Sequence, residues 1–121
     1  MLEKAKSGEQ IRVVADQYGS PTYAPDLANI IRSILEKKIP FGLYHATNSG
    51  SCSWYEFTQK IFALCGIAVP VTPMTTAESG TKVRRPQYSI LKNTRLPELG
   101  IPPLRSWEEA LADYIQHEIK N

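Results

Sequence analysis

Apolar residues recur along this chain at spacings that change from block to block, and each spacing predicts an element. Met1 to Gly8 reads as the last two turns of a helix closed by a glycine cap. A helix met at its C-terminal end leads us to expect further sequence upstream; a short frayed helix is the alternative. Gln10 to Ala15 carries Ile11, Val13 and Val14 and predicts a short strand. Gly19-Ser20-Pro21-Thr22 predicts a turn. A helix follows, with Pro25 in its first turn, Asp26 set to complement its dipole, and Leu27, Ile30, Ile31, Ile34 and Leu35 at helical spacing. It ends near Lys37-Lys38, ahead of Pro40. Gly42 to Thr47 predicts a second strand, closed by the turn residues Asn48-Ser49-Gly50.

Ser53-Trp54-Tyr55-Glu56 fits a capping box, in which serine and glutamate each satisfy an orphan backbone N–H. The helix it opens buries Phe57, Ile61, Phe62 or Leu64, and Gly66 stops it. Ala68 to Thr75 holds two prolines and predicts a short edge strand. Thr76 to Lys92 has little periodicity and reads as a long loop, of the kind that in a compact domain serves a function. Ser106-Trp107-Glu108-Glu109 is a second capping box, opening an amphipathic helix with Ala110, Leu111, Tyr114, Ile115 and Glu118. The order is α/β, with a small mixed or parallel sheet and about three to four helices. A crossover from the first strand through a helix to the second suits a parallel pair.

The chain has 121 residues, enough for a single domain over 1–121 with a modest core. A net charge of +2, with basic residues scattered and no interleaved aromatics, argues against a nucleic-acid partner. No apolar stretch is long enough for a membrane span and no signal peptide is present, so a cytoplasmic location is expected. Cys52 and Cys65 sit at no metal-ligand spacing and are expected to be reduced and partly buried.

Candidate chemistry is defined first by what is missing. No glycine-rich pyrophosphate turn occurs, so no cofactor-binding residue is assigned. The chain is also read as carrying no catalytic Tyr-x-x-x-Lys pair, no metal site and no catalytic residue. His45 and His117 are isolated, and His45 reads as a strand residue packed or bonded locally. Gln17, in Asp16-Gln17 after the first strand, offers donors and an acceptor to a sugar hydroxyl or a base edge; equally, the pair could cap the following turn. Arg84-Arg85-Pro86 offers guanidinium groups to phosphate oxygens on a loop stiffened by proline, or else a solvated basic pair. Trp54 and Trp107 read as packing anchors rather than stacking platforms.

Six motifs in order bind these readings together: Val14 to Thr22, Asp26-Leu27-Ala28, Gly42-Leu43-Tyr44-His45, Ser53 to Phe57, Arg85-Pro86-Gln87-Tyr88-Ser89-Ile90-Leu91, and Trp107 to Leu111. Over essentially the whole chain the pattern resembles the C-terminal part of the dTDP-4-dehydrorhamnose reductase family, which are extended short-chain dehydrogenases/reductases. The resemblance implies the C-terminal part of that fold without its Rossmann cofactor half. It implies a complete enzyme that reduces dTDP-4-dehydro-β-L-rhamnose to dTDP-L-rhamnose for bacterial cell-surface polysaccharide. NADPH or NADH would supply the hydride, in a magnesium-dependent dimer. The residues that carry over are on the substrate side: Gln17, Arg85 and, less directly, Arg84. This chain alone is expected to bind no cofactor, to be inactive, and to form a homo-oligomer. The alternatives are a non-catalytic regulatory or protein-binding module on the same scaffold, and another nucleotide-sugar reductase or epimerase.

Overall fold

Ile11 and Val13 are almost fully buried while Arg12 between them faces solvent, the period-two signature of a half-buried strand. The computed structural model describes residues 2–119; Met1, Lys120 and Asn121 lie outside the described residues, and with them the expected start of the first helix and both ends of the 1–121 domain. The elements run α1 (Leu2–Lys6), β1 (Ile11–Val14), β2 (Tyr18–Gly19), α2 (Ala24–Glu36), β3 (Cys52–Ser53), α3 (Trp54–Cys65), β4 (Val71–Met74), α4 (Arg95–Glu98) and α5 (Trp107–Tyr114), which runs into a π-helical turn over Ile115–Ile119. The fold is α/β, with one parallel and one antiparallel pair of strands.

β1 lies parallel to β4, in register from Ile11↔Val71 to Val14↔Met74. The ladder extends one step, with the Ala15 N–H donating to the Met74 carbonyl at 2.9 Å. Bonding residues alternate along a strand, so Pro73 turns its missing N–H to the free edge, where proline costs no ladder bond. α3 packs across this pair, and Ala5, Ile11, Val13 and Phe62 form one core. A second core, Cys52, Trp107, Leu111 and Ile115, joins α3 to α5 and the π-helical turn, with Ile61 packed against both. Both expected capping boxes form. The Glu56 and Glu109 N–H groups donate to Ser53 Oγ and Ser106 Oγ at 3.2 Å, and each glutamate accepts from its serine's N–H. Gly66 ends α3 with φ 68°, as its place after the apolar run predicts.

Four expectations are corrected. Gly42 to Thr47 forms no strand, because no ladder partner lies beside it among the described residues. Side chains hold it instead. Asn93 Nδ2 donates to the Thr47 carbonyl at 2.6 Å, Arg95 Nη1 donates to the Leu43 carbonyl at 2.8 Å, and the Tyr44 hydroxyl donates to the Pro40 carbonyl at 2.6 Å. The parallel partner of β1 is therefore β4, not this segment. Gly19 belongs to β2 rather than to a turn, paired antiparallel with Cys52. α4 was not expected, since four residues around Pro97 give no periodic signal; its Leu96 is buried against Ile30 of α2 and Ile101.

Candidate functional site

β1 delivers Asp16 and Gln17 to the start of the long loop, and both bind the same residue. The Asp16 carboxylate accepts from the Thr76 N–H at 2.9 Å and from the Thr76 hydroxyl at 2.7 Å. These bonds hold its carboxyl below the usual carboxylate range. Gln17 Nε2 donates to Thr76 Oγ1 at 3.0 Å, and Gln17 is buried. The pair thus clamps the loop at Thr76; it does not cap the residues that follow it. The Gln17 carbonyl oxygen is left as an acceptor.

Beyond Gln17 the chain forms the central line of a small three-way pairing. Tyr18 pairs with Ser53 on one side and with Tyr88 of the long loop on the other. The Tyr18 N–H donates to the Gln87 carbonyl at 2.8 Å, and the Ser89 N–H donates to the Tyr18 carbonyl at 2.9 Å. This pairing folds the loop over a cleft of about 500 Å³ whose wall includes Gln17, Ser20, Trp54, Arg85, Pro86 and Ser89. Gln17 and Arg85, far apart in sequence, are brought to one cleft. Arg84 does not line it, and both arginines are exposed. His45 is exposed as well, off any strand.

Two further features mark the cleft. The Ser20 hydroxyl is buried with no hydrogen-bond partner, a rare state that costs about 1–3 kcal/mol unless something satisfies it. The Cys52 thiol at its floor is pushed up to about 12, chiefly by burial and then by Glu56 and Glu108, so it is a neutral packing group and not a nucleophile. Both cysteines are unpaired. Trp107 is a packing anchor, as expected. Trp54 is not: it is 54% exposed, edge-on to Phe57 at 6.3 Å, and lines the cleft.

The sequence model of the RmlD substrate binding domain matches residues 1–119. The chain belongs to this family. It is 45% identical over 116 residues to the spore coat polysaccharide biosynthesis protein SpsK of Bacillus subtilis, covering 96% of this chain and 40% of that protein. It is 41% identical over 115 residues to a probable dTDP-4,6-dihydroxy-2-methyloxan-3-one 4-ketoreductase of Streptomyces antibioticus, covering 93% and 39%. Among solved structures it is similar to the dTDP-4-dehydrorhamnose reductase of Bacillus anthracis in complex with NADP, with a TM-score of 0.89, 42% identity, and coverage of 95% of this chain and 41% of that one. The chain thus spans about 40% of the length of the curated relatives it matches.

The RmlD-type segment does not itself fit a nicotinamide cofactor. A Rossmann-type nicotinamide site holds the cofactor's pyrophosphate at a helix N-terminus with free N–H groups, behind a glycine-rich turn. Here β1 runs on into β2 rather than into a helix, and at α3 and α5 a serine hydroxyl already takes the N–H of the third helical residue, with an acidic side chain in each first turn. α2 also carries Asp26 in its first turn. Among the described residues no group of three or more His, Cys, Asp or Glu side chains is placed to hold a metal ion. One Tyr-x-x-x-Lys spacing does occur, Tyr88 to Lys92, against the expectation that none would. It lies on irregular, exposed backbone, where no helical turn sets the lysine beside the tyrosine. Sequence reasoning missed Tyr18, Ser20, Trp54 and Ser89 as cleft residues. For the first, second and fourth, their place inside the two motif runs was the available signal. Trp54 also lies in a motif run, Ser53 to Phe57, but so does Trp107 in another, and both tryptophans follow a capping serine, so nothing set Trp54 apart.

Proposed function

We propose that this chain is the sugar-nucleotide-binding portion of a reductase acting on dTDP-4-dehydro-β-L-rhamnose, yielding dTDP-L-rhamnose for cell-surface polysaccharide. The observation that carries the reading is the convergence of Arg85, Gln17 and the Trp54 ring on one cleft. Arg85 supplies a guanidinium for diphosphate oxygens, Gln17 an amide acceptor for hydroxyl or base donors, and Trp54 a face for a sugar or base ring. Arg84, outside the cleft, contributes longer-range positive charge. Reducing a 4-keto sugar puts a hydride on carbon and a proton on oxygen. No residue of this chain is assigned to either step. NADPH or NADH is held by an N-terminal Rossmann portion of the complete protein, which acts in the cytoplasm as a homo-oligomer.

Replacing Arg85 by alanine in the intact polypeptide is expected to raise the KM for the dTDP-sugar roughly 10- to 100-fold, the range for losing hydrogen bonds to a charged group. An unchanged KM removes the phosphate role. The 4-ketoreductase relative from Streptomyces antibioticus favours a second reading, reduction of a different dTDP-keto sugar. Turnover measured over a panel that varies the sugar at constant dTDP separates the two.

A further inference from the structure

We infer that Tyr88 is a positioning residue for Arg85, holding the Arg-Pro loop over the cleft through its stack on Tyr18; this rests on the reading of the cleft as the nucleotide-sugar site. Residues 81 to 92 contain no helix or strand and are exposed throughout, so the backbone alone does not fix where Arg85 sits. What fixes it is a short staple at Tyr18. Besides the two backbone bonds already described, Ser89 Oγ donates to the Tyr18 carbonyl at 3.1 Å. The Tyr18 and Tyr88 rings lie 5.5 Å apart with planes 15° from parallel, a stacked pair. Gly19 makes the close approach feasible, because a Cβ there would sit 3.2 Å from Ser89 Oγ.

The staple reaches Arg85 through very little slack. Only Pro86 separates Arg85 from Gln87, the first bonded residue, and proline fixes φ. Tyr88 itself does not line the cleft, whereas Arg85, Pro86 and Ser89 do. Its ring therefore acts on a ligand through the loop. Losing the ring lowers the fraction of molecules with the loop docked, and affinity falls by that fraction. Tyr18 is the fixed partner, since it is also paired to Ser53 at the start of α3.

The test is a double-mutant cycle on the intact polypeptide, reading the Kd of dTDP by calorimetry, with KM and kcat for the dTDP-sugar measured alongside. Tyr88→Ala is expected to weaken dTDP about 3- to 10-fold, the range of one aromatic pair, with kcat within about twofold. Tyr88→Phe, which keeps the ring, is expected to match the unmodified protein. Adding Tyr88→Ala to Arg85→Ala is expected to cost nothing more, because there is no longer a guanidinium to position. Tyr88 is 64% exposed, so the substitution leaves the cores untouched. An unchanged Kd in Tyr88→Ala, where Arg85→Ala weakens binding, overturns this inference and leaves the cleft assignment standing. Additive losses in the double variant overturn it too, by giving Tyr88 a contact of its own. No effect from Arg85→Ala overturns the cleft assignment, and the positioning role with it.

Discussion

Arg105 grips Asp26 with two hydrogen bonds, of 2.8 and 2.9 Å, across 79 residues of sequence. The pair ties the first turn of α2 to the residue that precedes the α5 capping serine. Arg105 also reaches Asp113 near the end of α5, and its guanidinium lies 5.6 Å from the centre of the Tyr23 ring. Asn48, buried, completes the junction. Its Nδ2 donates to Asp26 at 2.7 Å, and its Oδ1 accepts from the Tyr23 N–H at 2.8 Å. The Arg105 hydrogen bonds hold the Asp26 and Asp113 carboxyls below the usual carboxylate range. A carboxyl depressed in the folded state adds stability that is present above its unfolded value, near 4, and is lost as pH falls through the folded one. Urea midpoints of the protein are therefore expected to fall as pH is lowered from about 5 toward 3. Arg105→Ala should have a lower midpoint at pH 7 and a shallower fall over the acid range. Parallel pH curves for the two proteins would show that the arginine does not set these carboxyls.

Gly50 sits beneath Trp107 with φ 85°, in the left-handed region. A Cβ there would lie 3.0 Å from Trp107 Cδ1. Gly50→Ala combines backbone strain with overpacking against a buried indole, and is expected to cost about 1–3 kcal/mol by urea denaturation. A loss under half a kilocalorie would mean that the indole yields freely, and that the 48–50 turn is not fixed by this contact.

The two tryptophans occupy the same place in two capping-box helices and are expected to answer differently. Trp107 is 7% exposed within the second core, so Trp107→Ala should cost about 3–5 kcal/mol or abolish folding. Trp54 is half exposed on the cleft, so Trp54→Ala should cost under about 1 kcal/mol while weakening dTDP-sugar binding several-fold. Equal losses of stability would put Trp54 back among the packing anchors; equal binding would take its ring out of the site.

That pair shows where the sequence stops being legible. The capping boxes, the Gly66 stop and the helix after Pro25 were readable because each is decided by residues within one or two turns of one another. The period-two burial of Ile11 and Val13 was readable for the same reason. Which face of a capped helix meets a core is decided by elements far along the chain, so nothing local distinguishes Trp54 from Trp107. The strand expected at Gly42 to Thr47 failed likewise: β-branched and aromatic content measures fitness for a sheet, and a sheet needs a neighbour. Arg84 and Arg85 are adjacent and chemically the same, and which of them lines the cleft depends on how the loop is held against Tyr18, far away in sequence.

The exposed apolar side chains around the 42–47 segment lead to the last prediction. Phe41 is fully exposed, Leu43 is 76% exposed, and on α2 Leu35 and Ile31 are 71% and 51% exposed. α2 uses Ile30 and Ile34 against Leu96 and Ile101 and leaves Ile31 and Leu35 uncovered. We expect this face to pack on the cofactor-binding portion in the complete protein. The 121-residue chain on its own is then expected to self-associate through it. Sedimentation velocity should show species larger than a monomer, growing with concentration. Burying one phenylalanine or leucine is worth about 1.5–3 kcal/mol, so Phe41→Ser with Leu35→Gln should weaken the association at least about tenfold. A monodisperse monomer at the highest soluble concentration would mean that these side chains are tolerated in water, and would remove the argument that a second portion is needed to cover them.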